Sequence, residues 1–383
     1  MTPRIERDFL VKDDPRQSEV HCSTVQAASG VVYATWFGGS KEGHGDVKIW
    51  QVCGRLSWFS RRVNDTRSSP RVIAGQEDIV HWNPVSFLPS PIEDPKHLIV
   101  YYKTGTPIPS WRTYYIISHD GGETFSSPVE LVPGEAGSGG RGPQKNPPII
   151  LSNGDWIAGS SREVTLENGK GLWDAYIDIA PKPDPTTPES ESFTQGEKWI
   201  RSEFVALPED RGVEGGSFPG EGVIQPSLWE SGDKPGHVHM FMRSSVGRIV
   251  RSDSKDYGKT WSRGYKTDLP NNNSGQCVTR LRDNRLVVAL NPVPINWGPR
   301  TPLILKISSD DGETWQDWCT LEDSPVPEGF EKVVALETGI VNDGKGEFSY
   351  PTVTPTAHDD KVGVWVSYTW QRRGVVVCKI TDE

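Results

Sequence analysis

The sequence predicts an all-β fold, a single-domain β-propeller of six blades, and three observations carry that expectation. An eight-residue phrase, Ser-x-Asp-x-Gly-x-Thr-aromatic, occurs at 118–125 (SHDGGETF), 254–261 (SKDYGKTW) and 308–315 (SSDDGETW). Aromatic residues that close Gly-rich or charged turns, namely Trp58, Phe125, Trp199, Trp261 and Trp315, recur about 64 residues apart. No segment sustains a 3.6-residue period, so helices should be few. Seven blades would fit only if one long interval hides a short blade.

Each element of that expectation has a local cause. In the phrase, the Asp carboxylate accepts backbone N–H groups of a turn, Gly supplies a positive φ, and Thr and the aromatic residue re-enter a strand. Trp58 (GRLSW) and Trp199 (GEKW) close weaker copies of it. Between these markers, GVVYATWF, HLIVYYK, TYYIIS, HVHMFMR, RLVVAL, LILKIS and KVGVWVSYTW are short, β-branched and aromatic runs bounded by Gly, Pro, Asn and Asp, and they read as strands. The Pro-rich, apolar-poor stretch at 181–197 reads as a surface insertion in one domain spanning 1–383. A ring of such sheets is expected to hold its ligand on the axis.

Composition limits the partners. Among 383 residues there are 39 Gly, 31 Pro and 15 Trp but only 3 Met, and a formal charge of −10 with no basic run argues against a nucleic-acid surface. No apolar stretch is long enough for a membrane helix. The charged start MTPRIERDFLVKDD is not a secretory signal, so the expectation is a cytosolic chain or one whose signal has been removed. Cys22, Cys53, Cys277, Cys319 and Cys378 are scattered, without metal spacing, and read as buried thiols. No metal and no cofactor are expected, and the chain is read as a monomer that meets an anionic oligo- or polysaccharide.

The three phrases, with the segments CSTVQAASGVVYATWFGGSKEGHGDVKIW, WNPV, GPQKNPPIILSNGDWIAGS, IQPSLWE, FMRSSVGRIVRS, NNNSG, RTPLILKISSDDGETW and EFSYPTV, resemble the Asp-box sialidase superfamily across nearly the whole chain. The match is to the branch often labelled predicted neuraminidases. The resemblance implies two carboxylate-binding arginines, Arg243 and Arg300, and a nucleophile, Tyr350. It also implies a first arginine where this chain has His21, and an activating Glu where it has Gln225. The loop at 41–46 offers Glu42, His44 and Asp46 in place of the family's acid.

Those departures redirect the chemistry. A tyrosine of ordinary pKa, about 10, is a poor nucleophile without a base beside it. His and Tyr instead suit β-elimination from a uronate, with a base for the proton at C5, a cation on the carboxylate and an acid for the leaving oxygen at C4. The catalytic candidates are therefore His81, Tyr350, His21 and His44. The substrate-binding candidates are Arg243, Arg300, Asp46, Glu42, Lys145, Arg162 and Gln225, with Asn146 beside Lys145 and with Trp36, Trp82, Trp111 and Trp297 as possible stacking surfaces. In its His-for-Arg start and its size the chain is similar to fungal lyases of this branch. They release terminal L-rhamnose from α-1,4-linked D-glucuronate of gum arabic-type side chains and leave an unsaturated uronate. An exo-α-sialidase with Tyr350 as nucleophile and a non-catalytic sugar-binding propeller remain alternatives.

Overall fold

A computed structural model describes residues 3–56, 66–135, 139–167, 169, 171–182, 199–207, 221–323, 346–357 and 361–382. Trp58 and most of the insertion at 181–197 lie outside them. The β-branched and aromatic runs form strands, beginning with β1 (Arg4–Lys12). The first sheet contains β2 (Glu19–Ala28), β3 (Val31–Gly39), β4 (Lys48–Gly54) and β5 (Arg71–Ala74). The second contains β6 (His81–Phe87), β7 (Leu98–Thr104), β8 (Arg112–Ser118) and β9 (Val129–Glu130). The third has β10 (Ile149–Ile150), β11 (Trp156–Thr165), β12 (Gly171–Ala180) and β13 (Ile200–Arg201). The fourth has β14 (Val223–Glu230), β15 (Val238–Ser244), β16 (Arg248–Ser254) and β17 (Tyr265–Pro270).

The fifth sheet holds β18 (Cys277–Arg280), β19 (Leu286–Leu290), β20 (Leu303–Ser308) and β21 (Gln316–Glu322). The sixth holds β22 (Phe348–Pro355), β23 (Gly363–Trp370) and β24 (Gly374–Thr381), and its fourth strand is β1. These six four-stranded antiparallel sheets are the blades of a propeller, and the only helical element among the described residues is a 3₁₀ turn at Ile108–Ser110. The fourfold spacing of the markers thus reports blades faithfully. The start of the chain departs from it, because β1 pairs with β24 from Arg4 opposite Thr381 to Lys12 opposite Gly374. The first residues close the last blade, which ties the two ends of the ring together.

The three phrases fold alike. Asp120 accepts from Ser118 Oγ at 2.7 Å and from Thr124 N at 2.9 Å; Asp256 does so from Ser254 and Thr260 at 2.8 and 2.9 Å, and Asp310 from Ser308 and Thr314 at 2.7 and 2.9 Å. The Trp261 and Trp315 indoles return a bond to the carbonyls of Gly258 and Gly312. Each turn therefore satisfies its own polar groups, and the apolar faces are free to pack between blades. Trp229 and Phe241 of blade four meet Val288 and Ile304 of blade five there, with Trp229 1% exposed. Truncating such a ring costs roughly 3–5 kcal/mol.

Blades four and five are also joined by charge. His239 bonds to Asp253 Oδ1 at 2.5 Å, lies 3.4 Å from Asp311 Oδ2, and stacks on Trp229, while the Arg251 guanidinium on the neighbouring strand opposes its charge. Burial lowers the imidazole pKa, but the two carboxylates outweigh it and the net shift is upward. A raised folded-state value means that the stabilisation is complete below the unfolded value of about 6.5 and is lost as pH rises through the folded value. His239→Gln should cost about 1–3 kcal/mol near pH 5.5 in urea denaturation, with the gap to the unmodified chain narrowing toward pH 9.

Candidate functional site

Four of the strands nearest the axis leave their ladder at the same height. The register breaks between His21 and Thr24 in β2, Trp82 and Val85 in β6, Ile224 and Ser227 in β14, and Ser349 and Thr352 in β22. The first unpaired residue of each is left-handed: Cys22 at φ 49°, Asn83 at 42°, Gln225 at 54° and Tyr350 at 51°. Ordinary strand alternation sends successive side chains to opposite faces. The bulge cancels it locally, so Trp82 and Asn83 both line the axial cavity, as do Ile224 and Gln225. Left-handed non-glycine residues are costly, and four at one level mark a site.

The cavity they line measures about 270 Å³. Its walls carry Trp82 and Trp111 on ring centroids 5.2 Å apart, and Trp173 and Trp297 at 6.1 Å. A larger cavity, about 390 Å³, opens among the far ends of the inner strands, where Pro, Leu, Ile and Val supply nearly half of the lining and Glu230, Arg280 and Arg282 its charges. The smaller cavity is the candidate site because cations, carboxyl groups, a phenol and an imidazole converge there.

Arg243, at the end of β15, donates to Tyr350 Oη at 2.7 Å, to Asn273 Oδ1 at 2.8 Å and to Gln225 Oε1 at 3.4 Å. Its guanidinium also lies over the rings of Trp173 and Trp297, at 5.6 and 5.4 Å. Arg300 donates to Glu347 Oε1 at 2.9 Å and lies 5.3 Å from the centre of the Tyr350 ring. The same Glu347 accepts from Arg372 Nε at 3.1 Å, and Arg372 Nη1 reaches Glu19 at 2.9 Å and also Glu42. These paired guanidiniums hold the Glu347 carboxyl below its ordinary value although burial pushes the other way.

His21 is 2% exposed, its ring centroid is 4.3 Å from that of Tyr350, and its Nδ1 has no hydrogen-bond partner. Burial, then the charges of Arg372, Arg300, Arg243 and Lys145, drive its pKa well below the ordinary histidine value, so the imidazole is neutral. No carboxylate among the described residues hydrogen-bonds to Tyr350. Gly275 makes room for this assembly: a Cβ there would stand 3.1 Å from Lys145 Cε and 3.4 Å from the Tyr350 ring.

Of the residues singled out in the sequence, His21, Glu42, Gln225, Arg243, Arg300 and Tyr350 line this cavity together, with the candidate stacking surfaces Trp82, Trp111 and Trp297. The others stand elsewhere. His81 is buried beside Tyr102 with Nδ1 on the Ile79 carbonyl at 2.8 Å. His44 and Asp46 are exposed, and both contact Ser40, Asp46 through Ser40 N and Oγ at 2.9 Å. Lys145 is buried on the axis, bonded to Asn146 Oδ1 and to the carbonyls of Gln276 and Pro351. Arg162 pairs with Asp174 and lies over Phe204. Trp36 is core, its indole bonded to Gln17.

Sequence reasoning missed Arg372, Glu163 and Trp173, all of which line the cavity. Glu163 had a signal, since strand alternation sends it to the face opposite Arg162. Arg372 had a weaker one. With Gln371 it occupies the tip of the β23–β24 hairpin, both residues at positive φ (52° and 51°) and Arg373 N bonding to Trp370 O, a turn that normally selects Asn and Gly. An arginine in that place supplies from blade six the guanidinium that blade one lacks at His21.

Arg372→Met should cost about 3–5 kcal/mol in urea denaturation, because it leaves Glu347 and Glu19 buried with fewer partners. Glu42→Gln, whose side chain is 34% exposed, should cost less than about 1 kcal/mol. Equal losses would mean that the charges at this corner are not organised by Arg372.

Comparison with solved structures returns similar folds. The chain superposes on the Hadza microbial sialidase Hz136 with a TM-score of 0.65 at 13% identity, covering 97% of this chain and 67% of that one. A Dyadobacter fermentans protein of unknown function gives 0.64 at 14% identity, with 99% of both chains covered. The Trypanosoma rangeli sialidase in complex with the inhibitor DANA gives 0.60 at 13% identity, and the chain spans 60% of its length. At such identities the likeness shows a sialidase-like propeller fold. No curated protein matches the sequence. The model of the BNR repeat-like domain matches residues 30–364, and the chain belongs to that family.

Proposed function

We propose that the chain is a carbohydrate-active enzyme that binds an acidic sugar next to a chain end and releases its cap by β-elimination, its substrate being an L-rhamnose-capped α-1,4-linked D-glucuronate. The observation that carries this reading is the company of Tyr350. Its hydroxyl meets Arg243, its ring lies against the neutral imidazole of His21, and Gln225 stands nearby where a base would be needed to make it a nucleophile.

Elimination suits these groups. The uronate carboxylate fits Arg243, which has no carboxylate hydrogen-bonded to it among the described residues, whereas Arg300 and Arg372 are paired with Glu347, Glu19 and Glu42. Holding that carboxylate acidifies the C5 proton. Burial first, and then four cations, keep His21 neutral and weakly basic. An entering carboxylate offsets part of that charge and raises its basicity, so the base is armed by the substrate that it attacks. The His21 imidazole, which lines the cavity, accepts the C5 proton; the C5–H electrons form the C4–C5 double bond, and the C4–O bond breaks. Tyr350 packs against the imidazole and, through its hydroxyl, holds the Arg243 guanidinium that receives the carboxylate.

A second reading, hydrolysis of a sialoside with Tyr350 as nucleophile, is favoured by the guanidiniums of Arg243 and Arg300 against that phenol. Ultraviolet absorbance separates the two. Incubation with a rhamnosyl-α-1,4-glucuronate oligosaccharide should raise the absorbance of an unsaturated uronate as rhamnose is freed, and His21→Ala and Tyr350→Phe should each reduce the rate by at least ~100-fold. A flat trace, with sialic acid released from a sialoside control, would sink elimination and return Tyr350 to the role of nucleophile.

A further inference from the structure

Cleavage at C4 leaves an oxygen that must be protonated, and two carboxyl groups line the cavity. Glu42 is bound to Arg372, which holds it as a carboxylate acceptor. Glu163 is different. It is 9% exposed, and no guanidinium or ammonium hydrogen-bonds to it among the described residues. Gln144 Nε2 donates to its Oε1 at 2.6 Å, which fixes that oxygen as an acceptor and leaves Oε2 without a protein partner. When such a carboxyl group is protonated, its proton sits on the free oxygen.

We propose that Glu163 is the general acid, delivering the proton on Oε2 to the oxygen that leaves C4. The assignment rests on the elimination reading above and adds the group that completes it. In the balanced step, the base takes the C5 proton, the C5–H pair becomes the C4–C5 double bond, the C4–O pair leaves with oxygen, and the Glu163 proton goes to that oxygen. Glu163 ends as a carboxylate and the sugar departs as an alcohol. The environment agrees. Burial raises the Glu163 pKa above the ordinary carboxylate range, although Arg243, the Gln144 hydrogen bond and Lys103 all pull it down. Lys103 is the weakest opponent, and burial lowers its own pKa to about 7. Across the cavity Arg243 is the permanent cation facing this carboxyl, and after the transfer it stabilises the carboxylate that forms.

The test uses two substrates that lose different groups from C4 of the same uronate, rhamnose in one and 4-nitrophenol in the other. Nitrophenolate leaves without help, so only the sugar needs the acid. Glu163→Gln should slow rhamnose release at least ~100-fold while slowing nitrophenol release less than ~5-fold, and it should remove the alkaline limb of the pH–rate profile for rhamnose. Glu163→Asp keeps the proton but withdraws it by one methylene; it should show the same discrimination between substrates with a smaller loss. Equal losses on both substrates, or none on the rhamnosyl one, would overturn the assignment and leave Glu163 a partner of Gln144 alone. Failure of the unmodified chain to release either group would overturn elimination itself, and the acid with it.

Discussion

Burying Glu347 at 1% exposure would cost several kcal/mol if it were alone, and what makes it tolerable is that Arg300 and Arg372 reach it from two sides. The consequence runs outward from there. Arg300 precedes β20 in blade five, Glu347 and Arg372 belong to blade six, and Glu19 and Glu42 belong to blade one. One carboxylate therefore fixes guanidiniums across the seam where the ring closes, next to the pairing of β1 with β24. Closure of the fold and the positive side of the pocket have the same cause. Arg243 is the exception, held by Asn273 and Gln225 rather than by a carboxylate, and its charge is the one left for a ligand.

Backbone strain does the remaining positioning. Cys22, Asn83, Gln225 and Tyr350 hold left-handed conformations at one level, and Gln371 and Arg372 hold them at a hairpin tip. Each is a poor local choice that surrounding sheet structure enforces. Because a bulge lies within a strand paired along both its remaining ends, the side chains it aims are rigid. A phenol, an imidazole and a guanidinium thus meet without depending on any long loop.

The blades were legible in the sequence because the repeated phrase is a self-contained hydrogen-bonding unit, and such a unit keeps its residues wherever it recurs. The site was legible in part for a related reason: His21, Gln225 and Tyr350 sit beside the bulges of inner strands, and Arg243 at the end of the strand next to one, so short motifs frame them. Arg372 was not, since its partners Glu19, Glu42 and Glu347 are distant in sequence and only closure of the ring gathers them. Glu163 was lost by a single residue of strand parity, Arg162 being the more conspicuous charge. His81 failed on the same ground, for it precedes Trp82 and faces the other side of the sheet. The β1 strand has no phrase of its own, and its place in the last blade is a property of the closed ring.

The axis itself bears on how a polymer would be met. Lys145 crosses from blade three to the carbonyls of Gln276 and Pro351 in blades five and six, while Asn146 Nδ2 reaches the carbonyls of Gln225 and Pro226 in blade four. Burial lowers the Lys145 pKa, yet carbonyl oxygens surround the ammonium, and the pair binds four blades at one point. This crossing separates Gln225 and Tyr350, which line the charged cavity, from Ser227 and Val353, which line the larger one. A pocket of about 270 Å³ with its floor crossed in this way suits the end of a glycan better than a long stretch of it. On the reading proposed here, release of a terminal sugar follows from that geometry, because the next residue of the chain must leave by the mouth through which the first one entered.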